Sequence, residues 1–419
     1  MNFYFILFIF YIIAPKISLL GENVPVRPED IISAFAIVMF IAFPRRRPLL
    51  VSVPVKIYLA FIALNVFSVI INFSDVGPTG FLYSFRLLQY LSWYFILYEA
   101  CYDVKWSTMR WSFLTISMIF IVWGILELSG VIAVIGKFAG ATERLTINTS
   151  GPFETSVMLA MLAYSVSSYI AAVPLLVLVF FTQSRVTLVG MVVSYFSSRP
   201  LRAVVAGMLV FVLYPIAIQP LLNSLQDTRI GQSEAPERMA NVLAVSWQRA
   251  PVLDDPSFFR ERLLTGNTIQ RYMVDTKGDM SFRIRAVRWP TLIKTTVSHP
   301  IALLFGWAPS AWGNALDNYY VRVFGETGLV GLGVFLLWLW VTFRRLEPQG
   351  IARYSLVMMA AVGVFIDIFT SSKVMPLLWA FLAFEEARHP FALPQKARPG
   401  EMLRRPNRLL LGFDRGPAQ

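Results

Sequence analysis

Apolar stretches near the length of a bilayer crossing recur along most of this chain, separated by short polar and basic clusters. A helix needs about 20 such residues to cross a hydrocarbon core ~30 Å thick. Clear runs cover about 52–72, 81–101, 111–135, 153–170, 203–222 and 314–343. Two more precede them at about 3–20 and 29–43, and two follow at about 351–370 and 372–384. The first run, Asn2–Leu20, lacks a basic leading region and a small-residue cleavage site, so it reads as a retained span. Ala171–Tyr195 is about as long as one tilted span, but Gln183, Ser184 and Arg185 stand near its middle.

Charge decides how that stretch divides. Arg45-Arg46-Arg47, Arg344-Arg345 and the tail from Arg388 onward are basic clusters of the kind retained on the cytoplasmic side. An even number of spans must then lie between Arg47 and Arg344. One helix over 171–195 makes the number odd and puts Arg199 and Arg202 outside. Two short spans meeting near Arg185 make it even and put both arginines inside. The pattern therefore predicts an all-α polytopic membrane protein of about twelve helices with both ends cytoplasmic. Its expected divisions are transmembrane helices over 1–221, a large periplasmic loop over 222–313, further spans over 314–386 and a basic tail over 387–419. Between Leu222 and His299 lie eleven basic and eight acidic residues, with little apolar periodicity before residue 282. A long, structured outer segment of this kind is expected to carry function.

Composition agrees with a membrane protein: 56% hydrophobic residues, 15% charged and a mean hydropathy of +0.60 are too apolar for a soluble chain. The net charge of +12 raises nucleic acid as a partner, but the basic residues sit between apolar runs, which points to the bilayer instead. One cysteine, Cys101, and two histidines, His299 and His389, leave no disulfide framework and no His/Cys metal cage. No GxxxxGK phosphate loop is present. Neither metal nor cofactor is expected. No internal repeat of the kind that builds many transporters stands out.

Three groups of residues could carry chemistry. Arg185, in Thr182-Gln-Ser-Arg185, costs about 2.5–3.5 kcal/mol within an apolar run. It either faces a polar interior or snorkels from a short helix end. In Ser281-Phe-Arg283-Ile-Arg285-Ala-Val-Arg288-Trp289, Arg285 and Arg288 fall on one helical face, with Arg283, Lys294 and His299 nearby. Such a face suits the forked hydrogen bonds of a diphosphate, or equally the head groups of anionic lipid. The third group, Asp317, Asn318, Tyr320, Arg322 and Glu326, enters the mouth of a span together. Arg322 and Glu326 are spaced to pair, which offsets the cost of burying either. Asp317 lacks a partner in sequence and is either a proton acceptor or a cap for the first helical turn. Gly325, Gly328 and Gly331 allow close helix approach. Arg86 and Arg144 form a second tier, with Glu127 a possible ion-pair partner for one of them.

Four pieces in order resemble the superfamily of O-antigen polymerases and O-antigen ligases. They are the loop from Arg144 to Phe153, the Thr182–Arg185 piece, the Arg285-Ala-Val-Arg288-Trp289 helix and the Gly306–Gly331 block. The last block is the most specific. The resemblance implies a GT-C-like membrane fold that transfers glycan from undecaprenyl diphosphate to an acceptor hydroxyl at the outer face, with inversion and without metal. By position it implies that Arg185, Arg285 and Arg288 hold the diphosphate. Asp317 stands where ligases of this kind commonly carry histidine, which favours a polymerase of O-antigen, capsule or exopolysaccharide. Trp289, Trp307 and Trp312 could stack on sugars or anchor the interface. A flippase and a chain-length regulator are the implied protein partners. A ligase, a lipid-linked oligosaccharide flippase and an envelope scaffold are the competing readings.

Overall fold

The computed structural model describes residues 3–16, 27–43, 51–101, 106–132, 144–149, 151–166, 168–197, 199, 236–254, 256, 280–313 and 316–388. The Arg45–Arg47 cluster, the run at 203–222, Arg202 and the tail beyond Arg388 lie outside these residues.

Among the described residues the fold is all-α. In chain order the helices are α1 (Phe3–Ile13), α2 (Pro28–Ala42), α3 (Val53–Ile71), the single turn α4 (Phe73–Val76) and α5 (Pro78–Ala100). Then come α6 (Trp106–Leu128), α7 (Pro152–Ser165), α8 (Tyr169–Phe181), α9 (Arg185–Ser197) and α10 (Pro236–Arg249). The rest are α11 (Met280–Ser298), α12 (Pro300–Phe305), α13 (Tyr319–Arg345), α14 (Ile351–Gly363) and α15 (Val374–Arg388).

Three of these, α3, α6 and α13, are long and apolar enough to cross a membrane. That is fewer than the twelve or so spans expected from the sequence. Several apolar runs form shorter helices: α1, α8, α9 and α14 have 11 to 13 residues, short of a full crossing on their own. Residues 171–195 do divide, into α8 and α9 of 13 residues each, with the break at Thr182–Ser184 and Gln183 in a left-handed conformation (φ 54°). Ser184 and Ser156 both hydrogen-bond to Thr187, so hydroxyls tie the break to α7.

Polarity runs inward. Phe35, Val38, Phe67, Ile70, Val122, Ile125, Ile170, Val189 and Trp340 stand on the outside, whereas Lys373 and Glu29 are wholly buried. An apolar exterior around buried ion pairs is the arrangement lipid imposes. The centre is aromatic: Tyr58 lies 4.9 Å from both Trp338 and Trp379. The molecule thus has the features of an all-α membrane protein.

The end of the 222–313 segment is built into this bundle. α11 and α12 both pack on α13. α13 breaks at Gly328 (φ 67°, ψ −165°), which frees carbonyls in the preceding turn. The Gly325 oxygen accepts from the Trp307 amide and the Trp312 indole, and the Glu326 oxygen from the Ala308 amide and the Ser68 hydroxyl. Irregular backbone among apolar helices persists only where protein satisfies it in this way. At both Gly306 and Gly328 a Cβ would fall within 2.3 Å of facing backbone atoms, and both have positive φ. Gly328→Ala is therefore expected to cost about 3 kcal/mol, from left-handed strain plus overpacking. A clear fall in the thermal unfolding midpoint of detergent-purified protein checks this.

Candidate functional site

One end of the bundle carries an open cleft of about 460 Å³. Its walls come from the exit of α1 (Lys16), the entry of α2 (Arg27), one face of α5 (Tyr83, Arg86, Tyr90) and the first turn of α7 (Phe153, Glu154). Asp317 and Arg322, at the start of α13, and Asp367 and Ser371, after α14, close it.

A chain of linked charged groups crosses the site. Arg285 reaches Asp317 at 3.1 Å, and the Asp317 amide donates to Asp367 at 3.2 Å. Arg322 then donates to Asp367 (2.9 Å), to Glu326 (3.1 Å) and to the Gly313 carbonyl (2.9 Å). Glu326 also accepts from the Ser310 amide, so the Gly306–Gly313 turn is fastened to the head of α13. The Arg322–Glu326 pair expected from spacing is present, and its main work is to hold this turn. The Asp317 side chain is 36% exposed whereas that of Arg285 is 14% exposed, so the acid is the more accessible partner.

The structure places several expected residues elsewhere. Asp317 is not a helix cap: Asn318 takes that role, its side chain accepting from the Val321 amide, while Asp317 precedes the helix with φ 54°. The Tyr320 hydroxyl donates to the Ala360 carbonyl of α14, so neither Asn318 nor Tyr320 lines the cleft. Of the three arginines on α11, Arg285 forms the ion pair with Asp317. Arg283 and Arg288 are buried, because the same helix packs Ala286, Val287 and Leu292 against its neighbours. Burial pulls the Arg288 guanidinium below its ordinary pKa, opposed by Asp317 and Asp367.

Arg185 begins α9 and does not line the cleft; the Ser184–Thr187–Ser156 hydroxyls connect its turn to α7, which does. Arg144 is buried as a brace, donating to the Thr182 carbonyl with its guanidinium over the Phe153 ring. Glu127 accepts from Thr146 rather than pairing with an arginine. Trp312 is buried and the Trp289 indole donates to the Leu316 carbonyl, so Trp312 is not placed to stack on a sugar.

Sequence reasoning missed Lys16, Arg27, Glu154, Asp367, Ser371 and Lys373. Glu154, Asp367 and Lys373 carried a usable signal, since each is a charge within or beside an apolar run. Lys16 pairs with Glu154 at 2.8 Å, and Glu154 also accepts from Ser371. Behind that wall Lys373 pairs with Glu29 at 2.9 Å and donates to the Tyr11 and Ala14 carbonyls. With Asn148, which donates to the Ile12, Ile13 and Ala14 carbonyls, it closes the open end of α1 and so fixes Lys16. Among the described residues, no group of three or more His, Cys, Asp or Glu stands together as a metal site.

Chemically the cleft offers one accessible carboxylate held by a guanidinium, with further cations facing it. The chain matches no known protein-family model and no curated protein.

Proposed function

We propose that this protein is a membrane glycosyltransferase that polymerises oligosaccharide repeat units carried on undecaprenyl diphosphate. The observation that carries the reading is Asp317, an accessible carboxylate ion-paired to Arg285 at the edge of a cation-lined cleft. An acceptor hydroxyl needs a base within reach, and a departing diphosphate needs fixed positive charge. In the reaction, the acceptor oxygen forms a bond to the anomeric carbon as the bond from that carbon to the diphosphate oxygen breaks. The diphosphate leaves with the electron pair, and the hydroxyl proton passes to Asp317. Attack opposite the leaving group inverts the anomeric centre. Arg285 orients the carboxylate.

The same reading sets the all-α bundle in a bacterial inner membrane. Orientation is supported by charge. Arg344 and Arg345 close α13 and Arg388 closes α15, whereas the cleft gathers the entries of α2, α7 and α13. Basic ends belong in the cytoplasm, which turns the cleft to the periplasm.

The test supplies purified protein in lipid nanodiscs with lipid-diphosphate-linked oligosaccharide in excess EDTA. A ladder of longer lipid-linked glycans with release of undecaprenyl diphosphate is expected. Transfer to a different acceptor would make the protein a ligase, and translocation without diphosphate release a flippase. Activity restored only by magnesium or manganese would assign the leaving-group charge to a metal.

A further inference from the structure

We infer that Arg86, together with Arg27, forms a diphosphate-binding wall of the cleft that Asp317 also lines. Each carboxylate lining the cleft already has a cation: Glu154 has Lys16 at 2.8 Å, Asp317 has Arg285 at 3.1 Å and Asp367 has Arg322 at 2.9 Å. Arg86 has no carboxylate at ion-pair distance among the described residues; its guanidinium stands 5.9 Å from the centre of the Tyr83 ring. Arg27 is only loosely matched, 3.6 Å from a Glu29 that is held at 2.9 Å by Lys373.

Among the described residues, two guanidinium groups therefore remain without a close carboxylate partner, which leaves them to an anion in the cleft. Both line the same cleft. Arg86 also belongs to the face of α5 that Tyr83 and Tyr90 present to the cleft, so it turns inward rather than toward lipid head groups. Paired guanidinium forks match the oxygens of a diphosphate better than a single carboxylate or phosphate monoanion. Arg322, by contrast, spends its donors on Glu326, Asp367 and Gly313, and the α11 arginines are buried or paired with Asp317.

Assigning this anion to the glycan donor rests on the proposed function; the anion site itself does not. Binding of inorganic pyrophosphate and of farnesyl diphosphate to the detergent-purified full chain, by calorimetry, separates the two. Wild type is expected to bind, and Arg86→Ala to bind at least about tenfold more weakly, with Arg86→Lys between them. Arg344→Ala, at the far end of α13, should bind as wild type does. Tighter binding of farnesyl diphosphate than of pyrophosphate would assign the site to a lipid diphosphate, and equal affinity to a free one. Failure of wild type to bind either, or equal affinity in wild type and Arg86→Ala, would overturn the site. So would equal losses in Arg86→Ala and Arg344→Ala, which would mark a general field effect. Arg86-dependent binding without glycan extension would leave the site standing and remove the polymerase reading. Glycan extension unaffected by Arg86→Ala would do the reverse.

Discussion

Asp317→Asn is expected to fold normally and to lose turnover by about 10²- to 10⁴-fold, the range for removing a general base. The substitution is unusually clean here. Asn is nearly isosteric and tolerates the left-handed backbone at this position (φ 54°). The helix cap is untouched, because Asn318 provides it. The Asn side-chain oxygen can still accept from Arg285, so the local geometry survives while proton acceptance does not. Release of undecaprenyl diphosphate per enzyme, beside an unchanged unfolding midpoint, checks this. Full turnover in the variant would transfer the base role to an oxygen of the departing diphosphate.

The second large effect concerns stability. Lys373→Met should destabilise the protein by about 3–5 kcal/mol, because Glu29 would keep its charge in a fully buried place. The Tyr11 and Ala14 carbonyls would also lose their donor. Adding Glu29→Gln removes the stranded charge, so the double variant should recover part of the loss, a coupling that a double-mutant cycle reads directly. Unfolding in graded denaturing detergent, with each variant beside wild type, gives the measurement. A Lys373→Met single variant as stable as wild type would remove the pair from its structural role.

What could be read from sequence was local. The Arg322–Glu326 pair follows from i,i+4 spacing, and the break between α8 and α9 from three polar residues amid apolar ones. The need for glycine in the Gly306–Gly331 block was also legible, although the reason at Gly328 is a kink with a backbone against it rather than a smooth helix crossing. What escaped depends on contacts distant in sequence. Asp317 looked unpartnered because Arg285 lies 32 residues away, and Asp367 comes to Arg322 across 45. The cap moved by one residue because the chain turns left-handed at Asp317 before the helix begins. Helical-face reasoning placed Arg285 and Arg288 together, yet tertiary packing buries Arg288. Span counting by hydropathy could not see that several apolar runs form helices too short to cross by themselves.

The buried Glu29–Lys373 pair has a consequence for biosynthesis. Glu29 and its partner Ser372 are 343 residues apart, so the N-terminal hairpin is made long before the segment that neutralises it. At about 5–20 residues per second, α2 waits roughly 20 to 70 s with an acidic side chain at its head and only Arg27, at 3.6 Å in the folded protein, to meet it. The Ser371–Lys373 segment that backs the Lys16 and Arg27 wall of the cleft is therefore among the last parts of the molecule to be made. A chain arrested before residue 371 would hold most of its helices and still lack that backing.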